Sequence, residues 1–224
     1  MKYKALFLDF YGTLVHEDDA AIATITRKIS YCLPSSNTQK EVASYLWSEF
    51  RQLSKNSFGG NFRTQREIEI ISIQKTLICF QCKNLDLDID ELLFSYWVKP
   101  EIFEDTLPFL EENALPVCIV SNIDRKDILK AMDFHGMAFE NIITSEEARS
   151  YKPRPEIFQT ALEKMNLSNQ EVLHIGDSLA ADVFGAQKLG IDSFWLNRKN
   201  RNMSNDCPAT YSGNTLADVL KILL

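Results

Sequence analysis

The run Ala5-Leu6-Phe7-Leu8, closed by Asp9 and followed by Gly12-Thr13, constrains the chain more than any other stretch. Four consecutive apolar residues without polar alternation suit a strand buried on both faces, as in a parallel sheet. A carboxylate at the carboxyl end of such a strand stands where open α/β sheets place their ligands, and Gly12-Thr13 adds a tight turn and a hydroxyl. Taken alone, Asp9 reads equally well as the start of an ordinary turn.

Three later stretches change that balance. Val117-Cys118-Ile119-Val120-Ser121-Asn122 is a second buried strand pattern ending in a hydroxyl, and Tyr151-Lys152-Pro153 sets a lysine just before a helix. Val172-Leu173-His174-Ile175-Gly176-Asp177-Ser178 is another strand pattern ending in acid, with Asp182 five residues after Asp177. In this order, acid, hydroxyl, lysine and acid resemble the four motifs of the haloacid dehalogenase-like (HAD) hydrolase superfamily. The resemblance runs through residues 1–15 and roughly 100–200.

The rest of the chain alternates in character. From Ala20 to Val98 apolar residues recur at helical spacing (Ile22, Ile25, Ile29; Val42, Leu46, Phe50; Ile70, Ile73, Leu77, Phe80), which predicts four or five helices. Pro34-Ser35-Ser36-Asn37, Asn56 to Asn61 and Asp86 to Asp90 interrupt them. From Pro100 onward, helices are expected at Thr106–Leu110, Lys126–Phe134, Pro155–Met165 and Ala180–Leu189. Strands are expected at Pro116–Val120, Phe139–Thr144, Val172–Ile175 and, last, Ser193–Leu196. Arg198 to Asn214 reads as a polar loop before a final helix at Leu216–Leu223. The expected fold is α/β, a Rossmann-like parallel sheet with helices on both faces. Residues 1–15 and 100–224 would form the core domain, and residues 16–99 an inserted helical domain, which the resemblance identifies with a type 1 cap.

Composition narrows the partners. Lys plus Arg number 24 against 31 Asp plus Glu, a net charge of −7 that argues against nucleic acid or an anionic membrane as main partner. No stretch approaches the ~20 apolar residues of a membrane span, and five scattered cysteines suit a reducing, cytoplasmic setting. Cys79-Phe80-Gln81-Cys82 has redox-motif spacing, but it falls inside a helical pattern rather than at a helix start. No histidine pair has zinc-ligand spacing; His174 reads as a core strand residue, His16 as a hinge residue and His135 as a helix end. A monomer and a homodimer fit equally well.

The resemblance implies roles. Asp9 would be the nucleophile. Asp9, the Tyr11 carbonyl and Asp177 would ligate Mg2+, with Asp182 orienting its waters. Ser121 and Asn122 would meet the transferring group, Thr13 would support the nucleophile, and Lys152 would balance the acids. Arg63, in the glycine-containing turn Phe58 to Arg63, is a candidate substrate contact. Each has a plainer reading as a cap, a turn or a surface charge. One departure stands out: phosphatases of the superfamily carry a second Asp two residues after the nucleophile as general acid, and Tyr11 stands there. Asp-x-Tyr-Gly-Thr instead resembles the metal-independent 2-haloacid dehalogenases, whereas Gly176-Asp177 with Asp182 has the magnesium pattern. Two acids at neighbouring strand ends repel unless a cation bridges them, a physical argument for a metal, and with it the resemblance implies a magnesium phosphatase acting on a small phosphorylated metabolite. The alternatives are a dehalogenase in which Asp9 attacks carbon, and a member that binds metal or ligand with little turnover.

Overall fold

The computed structural model describes residues 2–33, 38–202 and 209–223. The break at residues 34–37 and Cys207 lie outside these.

Apolar runs without alternation become central strands. β1 (Ala5–Leu8), β2 (Val117–Ser121), β3 (Asn141–Thr144), β4 (Val172–Gly176), β5 (Asp192–Leu196) and β6 (Tyr211–Gly213) form one sheet in the order β3-β2-β1-β4-β5-β6. Every pairing is parallel. Every residue of β1 is fully buried, as an unalternating run requires. Ala5 and Phe7 pack with Cys118, Val120, Ile143, Val172 and Ile157, Phe158 and Ala161 of the helix Pro155–Met165, so one face of the sheet is closed by that helix. Because all strands run the same way, their carboxyl ends share one edge. Asp9, Ser121 and Asp177 therefore reach that edge from three adjacent strands.

Two differences from the sequence reading concern the last third of the core. Tyr211–Gly213 is a sixth strand, not loop, anchored by the Asn197 amide donating to the Gly213 carbonyl at 2.7 Å. With three residues, one of them glycine, and a partly exposed edge position, it has no buried apolar run to betray it. The helix expected at Ala180–Leu189 is a wide π-turn, Leu179–Val183, leading into a short α-helix, Phe184–Gln187. In addition, β3 begins two residues later than expected, at Asn141.

The chain divides into two compact units, one of residues 1–17, 101–122 and 135–224 and one of residues 18–100 and 123–134. The second unit is helical: α1 (Asp19–Ser30), α2 (Gln39–Asn56), α3 (Gln65–Cys79), α4 (Ser95–Val98) and the helix Arg125–Phe134. Thr38 with Glu41, and Thr64 with Glu67, form capping boxes that start α2 and α3. α3 stops at Cys79, and Gln81 takes a left-handed backbone (φ 58°), so Cys82 lies beyond the helix rather than within it.

Candidate active site

The edge where the strands end gathers most of the residues that the motifs single out. The Lys152 ammonium donates to Asp9 Oδ1 at 2.7 Å and to Asp182 Oδ1 at 2.6 Å, with all three side chains almost fully buried. Carboxylate oxygens of Asp9, Asp177 and Asp182 lie within 4.8 Å of one another. Asn122 anchors the lysine's backbone: its Oδ1 accepts from the Lys152 amide at 2.7 Å, and its Nδ2 donates to the Lys152 carbonyl at 3.4 Å. Ser121 is buried at the end of β2.

Two glycines leave room for the acids. Gly12 adopts φ +83°, and a Cβ there would come 2.5 Å from Asp177 Oδ1, so the turn needs glycine for both conformation and space. A Cβ at Gly176 would collide with the Asp182 carboxyl. In the same turn the Thr13 hydroxyl is buried without a hydrogen-bond partner, and the Thr13 carbonyl accepts from Arg198 Nη2 at 2.8 Å. The Tyr11 backbone bridges to Val15, and its ring meets Phe10 edge-on.

Burial decides the electrostatics. Desolvation pushes the Asp9 carboxyl up to about 7; Lys152 opposes this and Asp182 adds to it. Desolvation likewise pushes Asp177 up to about 8, with Glu17, Asp182 and Asp9 adding repulsion and Arg201 opposing. Burial acts the same way on Asp182, but Lys152 and His174 outweigh it and hold that carboxyl below its ordinary range. The acids thus divide: Asp182 has its cation and its donors, while Asp9 and Asp177 are short of positive charge. That imbalance fits a hard divalent ion, since the free donors are carboxylate oxygens with neither sulfur nor nitrogen among them. Asp9 and Asp177 would hold the ion. Asp182 already accepts from Lys152 and His174 on Oδ1 and from the Ser178 amide on Oδ2, which suits an orienting part.

Several contributors were given no part in the site from sequence. His174 is a buried strand residue as expected, but its Nε2 also lies 3.0 Å from Asp182 Oδ1, and desolvation lowers its pKa. Trp195 and Arg201 both donate to the Asp177 carbonyl. His16 stacks on Phe103 at 3.8 Å, and Phe103 also carries the Arg198 guanidinium at 3.8 Å. Strand position and spacing to Asp177 could have flagged His174; nothing in the polar tail marked Arg201. Arg63 stands in the second unit, where its amide donates to Ser57 Oγ at 2.6 Å.

Comparison with known proteins gives a consistent picture. A family model described as haloacid dehalogenase-like hydrolase matches residues 3–190. A Danio rerio protein, haloacid dehalogenase-like hydrolase domain-containing protein 3, is 38% identical over 105 residues, 45% of this chain and 43% of that one. The chain thus spans under half the length of the curated relatives it matches first. Among solved structures, a HAD phosphatase from Thermococcus onnurineus superposes with a TM-score of 0.68 at 25% identity, covering 98% of this chain and 97% of that one. An L-2-haloacid dehalogenase superposes with a TM-score of 0.80 at 19% identity, covering 100% and 99%, a likeness of fold.

Proposed function

Because the chain belongs to the haloacid dehalogenase-like hydrolases, we propose that it is a magnesium-dependent phosphatase acting on a small phosphorylated metabolite, with Asp9 as nucleophile. The observation that carries the reading is the Asp177 carboxylate, buried beside Asp9 and short of positive charge. Mg2+ would supply charge neutralisation, stabilising the phosphoryl oxygens and allowing both carboxylates to stay ionised. The likeness to a HAD phosphatase at 25% identity over 98% of the chain also supports it.

The chain's own groups would act as follows. An oxygen of Asp9 attacks phosphorus, the bond from phosphorus to the leaving oxygen breaks, and an aspartyl phosphate forms. Lys152, 2.7 Å from Asp9, keeps that carboxylate ionised and offsets the charge of its neighbours. Ser121 and Asn122, at the end of β2, would hydrogen-bond the phosphoryl oxygens, and Thr13 would donate its unpartnered hydroxyl towards the nucleophile. Water then attacks phosphorus, the bond to Asp9 breaks, and the proton lost from the water leaves on the phosphate. Residues 18–100 would serve as the cap, with Arg63 as a contact for an anionic substrate group; Arg63→Ala should then raise KM for such substrates.

Tyr11 shapes the substrate range. A tyrosine side chain, with a reference pKa of about 10, can hold a proton at neutral pH but is a poor base for the later hydrolysis step. Acyl, aryl or anhydride phosphates, whose leaving groups depart unprotonated, should turn over faster than alkyl phosphates, and Tyr11→Asp should raise alkyl phosphate turnover. A second reading, the metal-independent dehalogenase, draws on the Asp9-x-Tyr11-Gly12-Thr13 pattern. Incubation with p-nitrophenyl phosphate and with 2-chloropropionate, each with magnesium and with a chelator, separates the two. Chelator-sensitive phosphate release supports the phosphatase; chloride release that survives the chelator overturns it.

A further inference from the structure

Asp177 is gripped through its backbone as well as placed by its strand. Its carbonyl oxygen accepts from Trp195 Nε1 at 3.0 Å and from Arg201 Nη2 at 2.9 Å, and the same Arg201 nitrogen lies 3.3 Å from Asp177 Oδ2. Trp195 is fully buried in β5, and its indole N–H has one donor bond to give, which it gives to this carbonyl. The Arg201 guanidinium lies 5.9 Å from the Trp195 ring centroid, so the two donors also meet each other in a cation–π contact. Gly12 also stands close, where even a methyl group would meet Asp177 Oδ1 at 2.5 Å. A peptide plane held at its oxygen limits rotation about the bond to the attached Cα, and so narrows the directions in which the carboxylate can leave the chain.

We propose that Trp195 and Arg201 are positioning residues for Asp177: the indole and guanidinium donors on its carbonyl aim its carboxylate at Asp9 and so set the protein's affinity for a divalent cation from the neighbouring strand and the loop after it. This rests on the magnesium reading above. Groups that hold a metal ligand from behind typically change metal affinity about 10- to 100-fold when removed. The sequence offers no motif for the pair, because one member is an apolar strand residue and the other lies in the polar tail after β5.

Two substitutions test it without altering the charge of the site: Trp195→Phe removes the indole donor, and Arg201→Lys keeps the cation but removes the planar guanidinium whose Nη2 makes both contacts. Mn2+ is the probe, its bound fraction read by electron paramagnetic resonance, with the melting temperature of the metal-free protein measured alongside and Asp177→Asn as the reference for a lost ligand. Each variant should weaken Mn2+ binding about tenfold or more, and saturating magnesium should restore most of kcat. Should Trp195→Phe unfold, Arg201→Lys, altered at an exposed position, decides the matter. Mn2+ affinity within about twofold of the unsubstituted protein in the folded variants would overturn the proposal. If the unsubstituted protein binds no Mn2+, the magnesium reading itself falls, and the inference with it.

Discussion

An ammonium group 2.7 Å from one carboxylate and 2.6 Å from a second, buried with both, is what the three-residue motif around Lys152 could not convey: its effect on its neighbours. Sequence order identifies which acids meet a lysine; only the distances show that Asp182 is satisfied and Asp177 is not. Glu69 makes the same point in the second unit. It reads as an ordinary polar residue of an amphipathic helix, yet it is 5% exposed, and burial, with Asp18 adding repulsion, pushes its carboxyl from 4.5 up to about 8. Between those two values the folded protein keeps a proton that the unfolded chain has lost. Stability from this group is therefore fully present at low pH and falls as pH rises, by at most about 1.4 kcal/mol per pH unit. Glu69→Gln removes that dependence. In chemical denaturation at a series of pH values, the variant should gain on the unsubstituted protein steadily between about pH 5 and pH 7.5; a constant difference would show that the carboxyl is ionised in the fold.

Elements were legible where their signals were long and periodic. Pro155–Met165 and Leu216–Leu223 fall where expected, the first with proline in its opening turn. The sixth strand and the π-turn after Asp177 were not legible, since three residues carry no period and a widened turn keeps nearly helical spacing. What joins elements was equally hidden. The first two amides of α3 donate to the Asp124 carboxylate, at 2.7 and 3.0 Å, and Arg66 makes a forked pair with Asp127, both bonds 2.7 Å. A helix that follows β2 in sequence is thereby tied to the helical unit. Asp127 is fully buried, so Arg66→Met leaves a charge without a partner and should cost about 3 kcal/mol or more in urea unfolding. Adding Asp127→Leu should recover most of that loss. If the double variant is no better than the single one, the Arg66 contribution lies in its packing over the Phe94 ring at 4.1 Å.

At the level of the whole molecule, the four motifs come from stretches as far apart in the chain as Asp9 and Asp182 and meet at one edge of a parallel sheet, where every strand delivers its last residue to the same side. That convergence was readable because three of the four motifs end buried strand patterns. The inserted helical segment gave only its own existence, since helical periodicity reports a buried face and says nothing of what a turn such as Phe58 to Arg63 recognises. No helix among the described residues is long and apolar enough to cross a membrane. The central claim concerns a single bond, the one between an oxygen of Asp9 and phosphorus, formed when a divalent cation reconciles Asp9 with Asp177. Acid quenching during turnover of p-nitrophenyl phosphate, followed by mass spectrometry of the peptide containing Asp9, tests it directly. One phosphoryl group should appear on that peptide in magnesium and be absent with a chelator and in Asp9→Asn. Phosphate release at full rate from Asp9→Asn, or an unchanged yield of modified peptide in the chelator, would contradict the account.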